Sequence, residues 1–355
     1  MALFLPFLIA FLVCFLVTPQ VIKLANHFGL VDDSQKRPHP AHTHRGIIPR
    51  AGGLAIYLGI IAASWLFLPI NKIILGILAG SSIIIVIGLI DDYKDLSPYF
   101  RFLTNILAAA IVVAAGVGIP YLNNPFGGIV HLDTFRLTFT FFGTHSLLVW
   151  ADFFAIFWIV WCMNMINWSK GVDGQMPGFV GISAIILGIL SLRFSRHDLS
   201  QQTVTVLSFL TAGAFFGFLP WNFYPQKIMP GYGGGTLAGF LLAVLSILSF
   251  GKLGTAVLVM GVPLIDAGYA ILRRITSGKS PFRGDRGHLH HKLLSLGWGR
   301  RRIALFYWLV SAILGLVAIN LGSQQKLLAF VLLLTILGGI LLWLRFFTTF
   351  LKPPD

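Results

Sequence analysis

The chain of 355 residues contains no glutamate; all twelve of its acidic residues are aspartates. Every carboxylate role, base or ligand, therefore falls on one of twelve positions. Charge is scarce as well, at 11% against 56% hydrophobic residues and a mean hydropathy of +0.84. That excludes an ordinary soluble domain, which carries about a quarter charged residues. The two cysteines, Cys14 and Cys162, both lie in apolar runs, which excludes a disulfide framework. Long apolar runs without period-two alternation exclude a β-barrel. The first run, Met1 to Thr18, lacks a basic leader and an Ala-x-Ala site, so it is expected to remain as a membrane span rather than a cleaved signal.

What the chain has instead is apolar length. Runs of about 17–25 residues suit bilayer-crossing helices. Eleven fit, over 2–24, 51–69, 72–90, 101–119, 149–167, 176–192, 202–220, 233–250, 254–272, 302–322 and 326–347. The expected fold is thus an all-α polytopic membrane protein of about eleven transmembrane helices, forming a single domain over 1–355. Residues 120–148 are the exception: Val130 to Phe142 alternates loosely, predicting a short external hairpin. Net charge is +14. Twenty basic residues flank the connections that share a side with the C-terminus, against six on the other side. The positive-inside rule makes that richer side cytoplasmic and the N-terminus external, so the basic excess calls for no nucleic acid.

Five polar islands fall on the cytoplasmic side. They are His42 to Gly53, Asp91 to Arg101, Asn164 to Gly174, Asn222 to Gly239, and the loop Pro281 to His291, which holds Arg283, Arg286, His288, His290 and His291. Each has a plain reading. Arg300 to Arg302 serve as topology determinants, Gly52-Gly53 permits close helix packing, and Gly233 to Gly235 is a weak phosphate-loop signal. Three histidines in His-x-His-His spacing make poor joint metal ligands. The pair Asp91-Asp92 resists a plain reading, because adjacent like charges at a helix end raise each other's cost. Islands gathered on one side point to one composite, anion-handling site at the membrane surface.

In order and in spacing, the islands resemble the polyprenyl-phosphate N-acetylhexosamine-1-phosphate transferases. The likeness covers about 25–300, leaving the C-terminal spans over 302–347 outside it. It rests on His44 to Gly53, on Asp91-Asp92 with Leu96 and Arg101, on Asn164, Asn167 and Asp173, on Asn222 to Lys227, and on the histidine loop. The loop form favours the branch using UDP-N-acetylglucosamine and undecaprenyl phosphate. The resemblance implies an enzyme of a bacterial plasma membrane that moves a sugar-1-phosphate from the UDP-sugar to the lipid phosphate and releases UMP. It implies Mg²⁺ held at Asn167 and Asp173, catalytic roles for Asp91, Asp92 and Asp173, and a homodimer. Substrate anions would be gathered by His44, Arg50, Lys94, Arg101, Asn164, Lys227, Arg283, Arg286, His288, His290 and His291.

Two positions depart from the family pattern. Lys170 stands where the third motif has its first aspartate, and Tyr232 where the fourth has an aspartate that usually binds Mg²⁺. Together they leave the site three charge units more positive, which predicts a catalytic part for Lys170 and a metal dependence weakened or dispensed with. One alternative is a homologue that binds without turnover. The other is a transporter, against which stand the absence of an internal repeat and the position of Asp152 and Asp266 toward helix ends.

Overall fold

The computed structural model describes residues 3–34, 46–124, 126–140, 144–195, 197–249, 253–280 and 286–350. In chain order these form α1 (Phe4–His27), β1 (Val31–Asp33), β2 (Ile47–Pro49), α2 (Gly52–Phe67), α3 (Lys72–Lys94) and α4 (Pro98–Ala114). Then come β3 (Tyr121–Asn123), β4 (Ile129–His131), β5 (Arg136–Thr140), β6 (Thr144–Leu148), α5 (Val149–Trp168), α6 (Gln175–Leu192) and α7 (Leu199–Asn222). The last are α8 (Gly231–Leu248), α9 (Leu253–Val259), α10 (Gly261–Thr276), α11 (Leu289–Ser295), α12 (Arg300–Asn320) and α13 (Ser323–Phe350). Each of the eleven apolar runs is helical. Among the described residues, eight helices are long and apolar enough to cross a bilayer, while α2 and α4 are shorter apolar helices. The protein is a multi-pass, all-α membrane protein.

The run 254–272 differs from expectation, for it is two helices meeting at 79°. Pro263 has no N–H to offer the Val259 carbonyl, so α9 cannot continue. The segment 120–148 also differs. It forms two antiparallel ribbons, β3 with β4 and β5 with β6, rather than one hairpin. Gly127 and Gly128 turn the first ribbon with φ of 123° and 82°, a region that favours glycine.

Close helix packing depends on residues without bulk. The Phe7 and Phe11 carbonyls of α1 lie against Gly213 and Gly217 of α7, a small-xxx-small approach. Pro19 leaves the Phe15 carbonyl of α1 without its helical donor, and the Trp221 indole N–H of α7 supplies one at 3.1 Å. At the centre, α8 is buried along nearly its whole length. Its Gly233 meets Gly88 of α3, and its Gly234 meets Gly53 of α2. The glycine run is therefore a packing point inside the first turns of a helix.

Candidate active site

The last turn of α3 brings Asp91 and Asp92 inside, 0% and 2% exposed. Being neighbours on a helix, they face different partners. The Asp91 Oδ1 accepts from the Leu96 N–H at 3.0 Å and from Arg101 Nε at 2.5 Å. Arg101 also donates to Asp95 Oδ1 at 3.1 Å and lies 5.3 Å over the Tyr232 ring. Asp92 Oδ1 faces Arg50 Nε at 3.3 Å and accepts the Tyr232 N–H at 3.0 Å. That N–H belongs to the first turn of α8, whose start is tied to α2 by hydrogen bonds from Gly52 and Gly53 to the Met229 and Pro230 carbonyls. Gly231, with φ of 69°, packs directly on the Asp92 carboxylate and the Arg50 carbonyl, where no side chain fits. The Tyr232 hydroxyl turns away to donate to Asn105 Oδ1 at 3.0 Å.

Lys170, just past the end of α5, completes this centre. Its ammonium donates to the Gly231 carbonyl at 2.5 Å. Burial pushes the Lys170 ammonium down to about 7, against the opposing pull of Asp92. Two carboxylates are thus ringed by Arg50, Arg101 and Lys170.

A second cluster surrounds Asp173, which is buried. Its Oδ2 accepts the Gln226 N–H at 3.3 Å and lies 3.6 Å from Arg300 Nη1. Asn222 Oδ1 accepts the Gly174 N–H at 3.1 Å, tying the start of α6 to the end of α7.

The third cluster holds the histidines. Asp266 of α10 accepts the Leu289 N–H at 2.7 Å with Oδ1 and lies 2.9 Å from His288 Nδ1 with Oδ2. Arg274 Nη2 stands 3.3 Å from His288 Nε2. An arginine can only donate, so a hydrogen bond from Arg274 to Nε2 goes with a ring proton on Nδ1 toward Asp266. His290 stacks on His288 at 5.7 Å between ring centroids, and burial, aided by His291 and His288, holds it well below the usual imidazole range.

The loop 168–174 joins the three clusters. Trp168 meets Arg274 and His288, Lys170 reaches Gly231, Gly171 backs onto the His290 ring, and Asp173 engages Arg300. Lys94 and Arg286 are exposed, and Lys227 is exposed with its ammonium 5.1 Å from the Trp221 ring. Asn164 donates to Val160 O of its own helix at 2.8 Å rather than into the centre. His44 and Arg283 lie outside the described residues. Sequence reasoning missed Asp266 and Arg274 as partners of His288, Asn105 as partner of Tyr232, and Arg300, read there as a topology charge. Only the position of Asp266 toward a helix end hinted at a role.

Mg²⁺ takes an octahedral oxygen shell at about 2.0–2.1 Å. At the end of α3, Asp91 Oδ1 and Asp92 Oδ1 are engaged by guanidinium and backbone donors, which leaves Asp91 Oδ2 as the buried oxygen without a partner among the described residues. No group of three or more histidine, cysteine or acidic side chains able to hold a metal occurs among the described residues. Among the described residues, Asn167 Oδ1 and Asp173 Oδ1 are also buried without a hydrogen-bond partner, the first beside the Lys170 stem and the second in the cluster of Gln226 and Arg300. The residues present do not fit the ion.

A family model described as glycosyl transferase family 4 matches residues 74–250. The chain is 33% identical over 347 residues to a decaprenyl-phosphate N-acetylglucosaminephosphotransferase of Mycobacterium leprae (strain TN), covering 89% of this chain and 82% of that protein. It is 31% identical over 329 residues to an undecaprenyl-phosphate alpha-N-acetylglucosaminyl 1-phosphate transferase of Haemophilus influenzae, covering 90% and 86%.

Proposed function

Because the chain belongs to glycosyl transferase family 4, among the polyprenyl-phosphate N-acetylglucosamine-1-phosphate transferases, we propose that it draws its sugar phosphate from UDP-N-acetylglucosamine and releases UMP. It is a phosphoglycosyl transferase that acts on polyprenyl phosphate within a membrane. A phosphate oxygen of the lipid, in our reading undecaprenyl phosphate, attacks the β-phosphorus of the donor. The new P–O bond forms as the bond from that phosphorus to the bridging oxygen breaks, and the bridging oxygen leaves with UMP. A lipid phosphate that arrives as the dianion gives up no proton. One that arrives as the monoanion passes its proton to Asp91, whose Oδ2 is buried without a partner among the described residues.

The observation that carries this reading is the ring of Arg50, Arg101 and Lys170 around Asp91 and Asp92. Two anionic substrates repel each other, and attack at phosphorus needs that charge offset by preorganised donors. In this reading the histidine cluster holds the donor's nucleotide side, and the loop 168–174 spans the gap. The basic asymmetry of the connections supports a cytoplasmic site, with the N-terminus outside and the C-terminus inside. A homodimer is a separate proposal, checked by mass measurement of the protein in nanodiscs.

The test is direct. Purified protein is incubated with UDP-N-acetylglucosamine and undecaprenyl phosphate in detergent, and UMP and lipid-linked sugar are followed together. Equal amounts of both products are expected. UMP without lipid product, or neither, overturns the reading.

A further inference from the structure

Lys170 sits where charge matters most, and three features fit it there. Its ammonium has three donors, and one is used on the Gly231 carbonyl. Its stem runs past Gly235, where a Cβ would lie 3.0 Å from Lys170 Cδ and 2.6 Å from Asn167 Oδ1. A glycine at 235 thus leaves the passage the long side chain needs. The third feature is Tyr232. Its main chain serves Asp92 while its side chain turns to Asn105, so the start of α8 brings no carboxylate to the centre. Among the buried groups of the centre, the Asp91 and Asp92 carboxylates face Arg50, Arg101 and Lys170, with Asp95 at the exposed edge of Arg101. Basic groups thus stand at the centre without any ion, and they face a reaction whose substrates carry several negative charges.

We propose that Lys170 is the resident cation of the aspartate centre, binding the donor's diphosphate in place of a divalent metal ion, so that transfer proceeds without metal. This rests on the transferase reading above. In the step written there, the two remaining Lys170 donors meet diphosphate oxygens as charge builds on the departing UMP. Arg50 and Arg101 hold Asp92 and Asp91 in position. Glycine at 235 and tyrosine at 232 then belong with the lysine: one gives it room, and the other removes a carboxylate that would compete for it.

The experiment uses the full-length protein in detergent, stripped with EDTA, with two readouts. The first is turnover of UDP-N-acetylglucosamine with undecaprenyl phosphate in EDTA and in added Mg²⁺. The second is Mn²⁺ binding followed by electron paramagnetic resonance, which needs no activity. The expected rates differ by less than about twofold, whereas loss of a working metal costs about a hundredfold or more. No stoichiometric Mn²⁺ site is expected. A rate that collapses in EDTA and returns with Mg²⁺ overturns the proposal, as does one tightly bound Mn²⁺ per chain. If no product forms under either condition, the transferase reading fails by itself, and the Mn²⁺ titration still decides whether the centre is a metal site.

Two variants sharpen the result. Lys170→Met is expected to lower kcat by about a hundredfold or more while leaving EDTA without further effect. Turnover within about twofold of the parent overturns the role of the lysine. The double substitution Lys170→Asp with Tyr232→Asp is expected to create a Mn²⁺ site the parent lacks. Failure of that protein to fold leaves the wild-type arms to decide.

Discussion

Two helix starts in this protein are each held by a buried aspartate from another helix, and the two aspartates differ in their company. Asp92 takes the Tyr232 N–H at the start of α8, and Asp266 takes the Leu289 N–H at the start of α11. A carboxylate at such a position satisfies an orphan donor and meets the positive end of the helix. Beside Asp92 stand Arg50 and Lys170; beside Asp266 stands the His288 imidazole, itself faced by Arg274. The same device therefore does two jobs. In one region it holds a cluster of charge ready for anions. In the other it fixes the tautomer and the tilt of a ring, as a carboxylate behind a working histidine does.

Substitutions that remove one oxygen's charge should separate the two. Asp92→Asn leaves Arg50 and Lys170 facing an amide and weakens the hold on α8. We expect kcat to fall by about a thousandfold, with the UMP assay as the check. A fall mainly in KM would mean that Asp92 only binds. Asp266→Asn keeps the shape but turns one of its two contacts repulsive, because an amide nitrogen must face either His288 or the Leu289 N–H. The expected loss is about tenfold to a hundredfold, carried chiefly by KM for the nucleotide sugar. Equal kcat losses in both variants would erase the distinction between the two regions.

A smaller effect tests the fit around Lys170. Gly235→Ser adds a side chain against Asn167 Oδ1 and the lysine stem, overpacking worth about 1–3 kcal/mol of stability. A lowered melting temperature with a proportionate loss of turnover is expected in detergent. An unchanged protein would show that the passage is roomier than it looks.

The smallest effect concerns pH. His290 is held neutral in the folded protein, well below its ordinary value of 6.5, while the unfolded chain takes up a proton near that value. The stability tied to this group is therefore fully present above pH 6.5 and is lost as pH falls toward the folded value. His290→Phe should lose fewer degrees of melting temperature than the parent between about pH 7.5 and about pH 5.5. Identical slopes would place the acid sensitivity elsewhere.

The apolar runs made the helices legible from the sequence, because a span must satisfy its own backbone in lipid and its length is set by the bilayer. The bend between Val259 and Gly261 was hidden inside one such run, since hydropathy does not register a missing N–H at Pro263. The ribbon of β3 and β4 was missed because its strands are three residues long, too short to show alternation. In the site, Asp91, Asp92, Arg50, Arg101 and Lys170 stood out as charges where charge is rare, and the structure gathers those five. The pairing of Asp266 with His288 spans 22 residues and a helix bend, so no spacing rule announces it. Gly235 likewise gains meaning only from the lysine stem laid against it.

The burial of α8 has a mechanical consequence. This helix begins at the charged centre, yet protein surrounds it on all sides, so lipid cannot pull on it directly. Changes in bilayer thickness act on helices that touch lipid, which tilt or stretch the surrounding leaflet to compensate. Here α13 and α1 are the most lipid-facing of the long spans, and they take that strain first. The α8 side of the site is thereby an insulated axle, whereas Asp91 and Asp92 ride on α3, whose Val86 and Ile90 face outward. Thickness changes therefore reach the site through the carboxylates and not through the helix start that Asp92 holds.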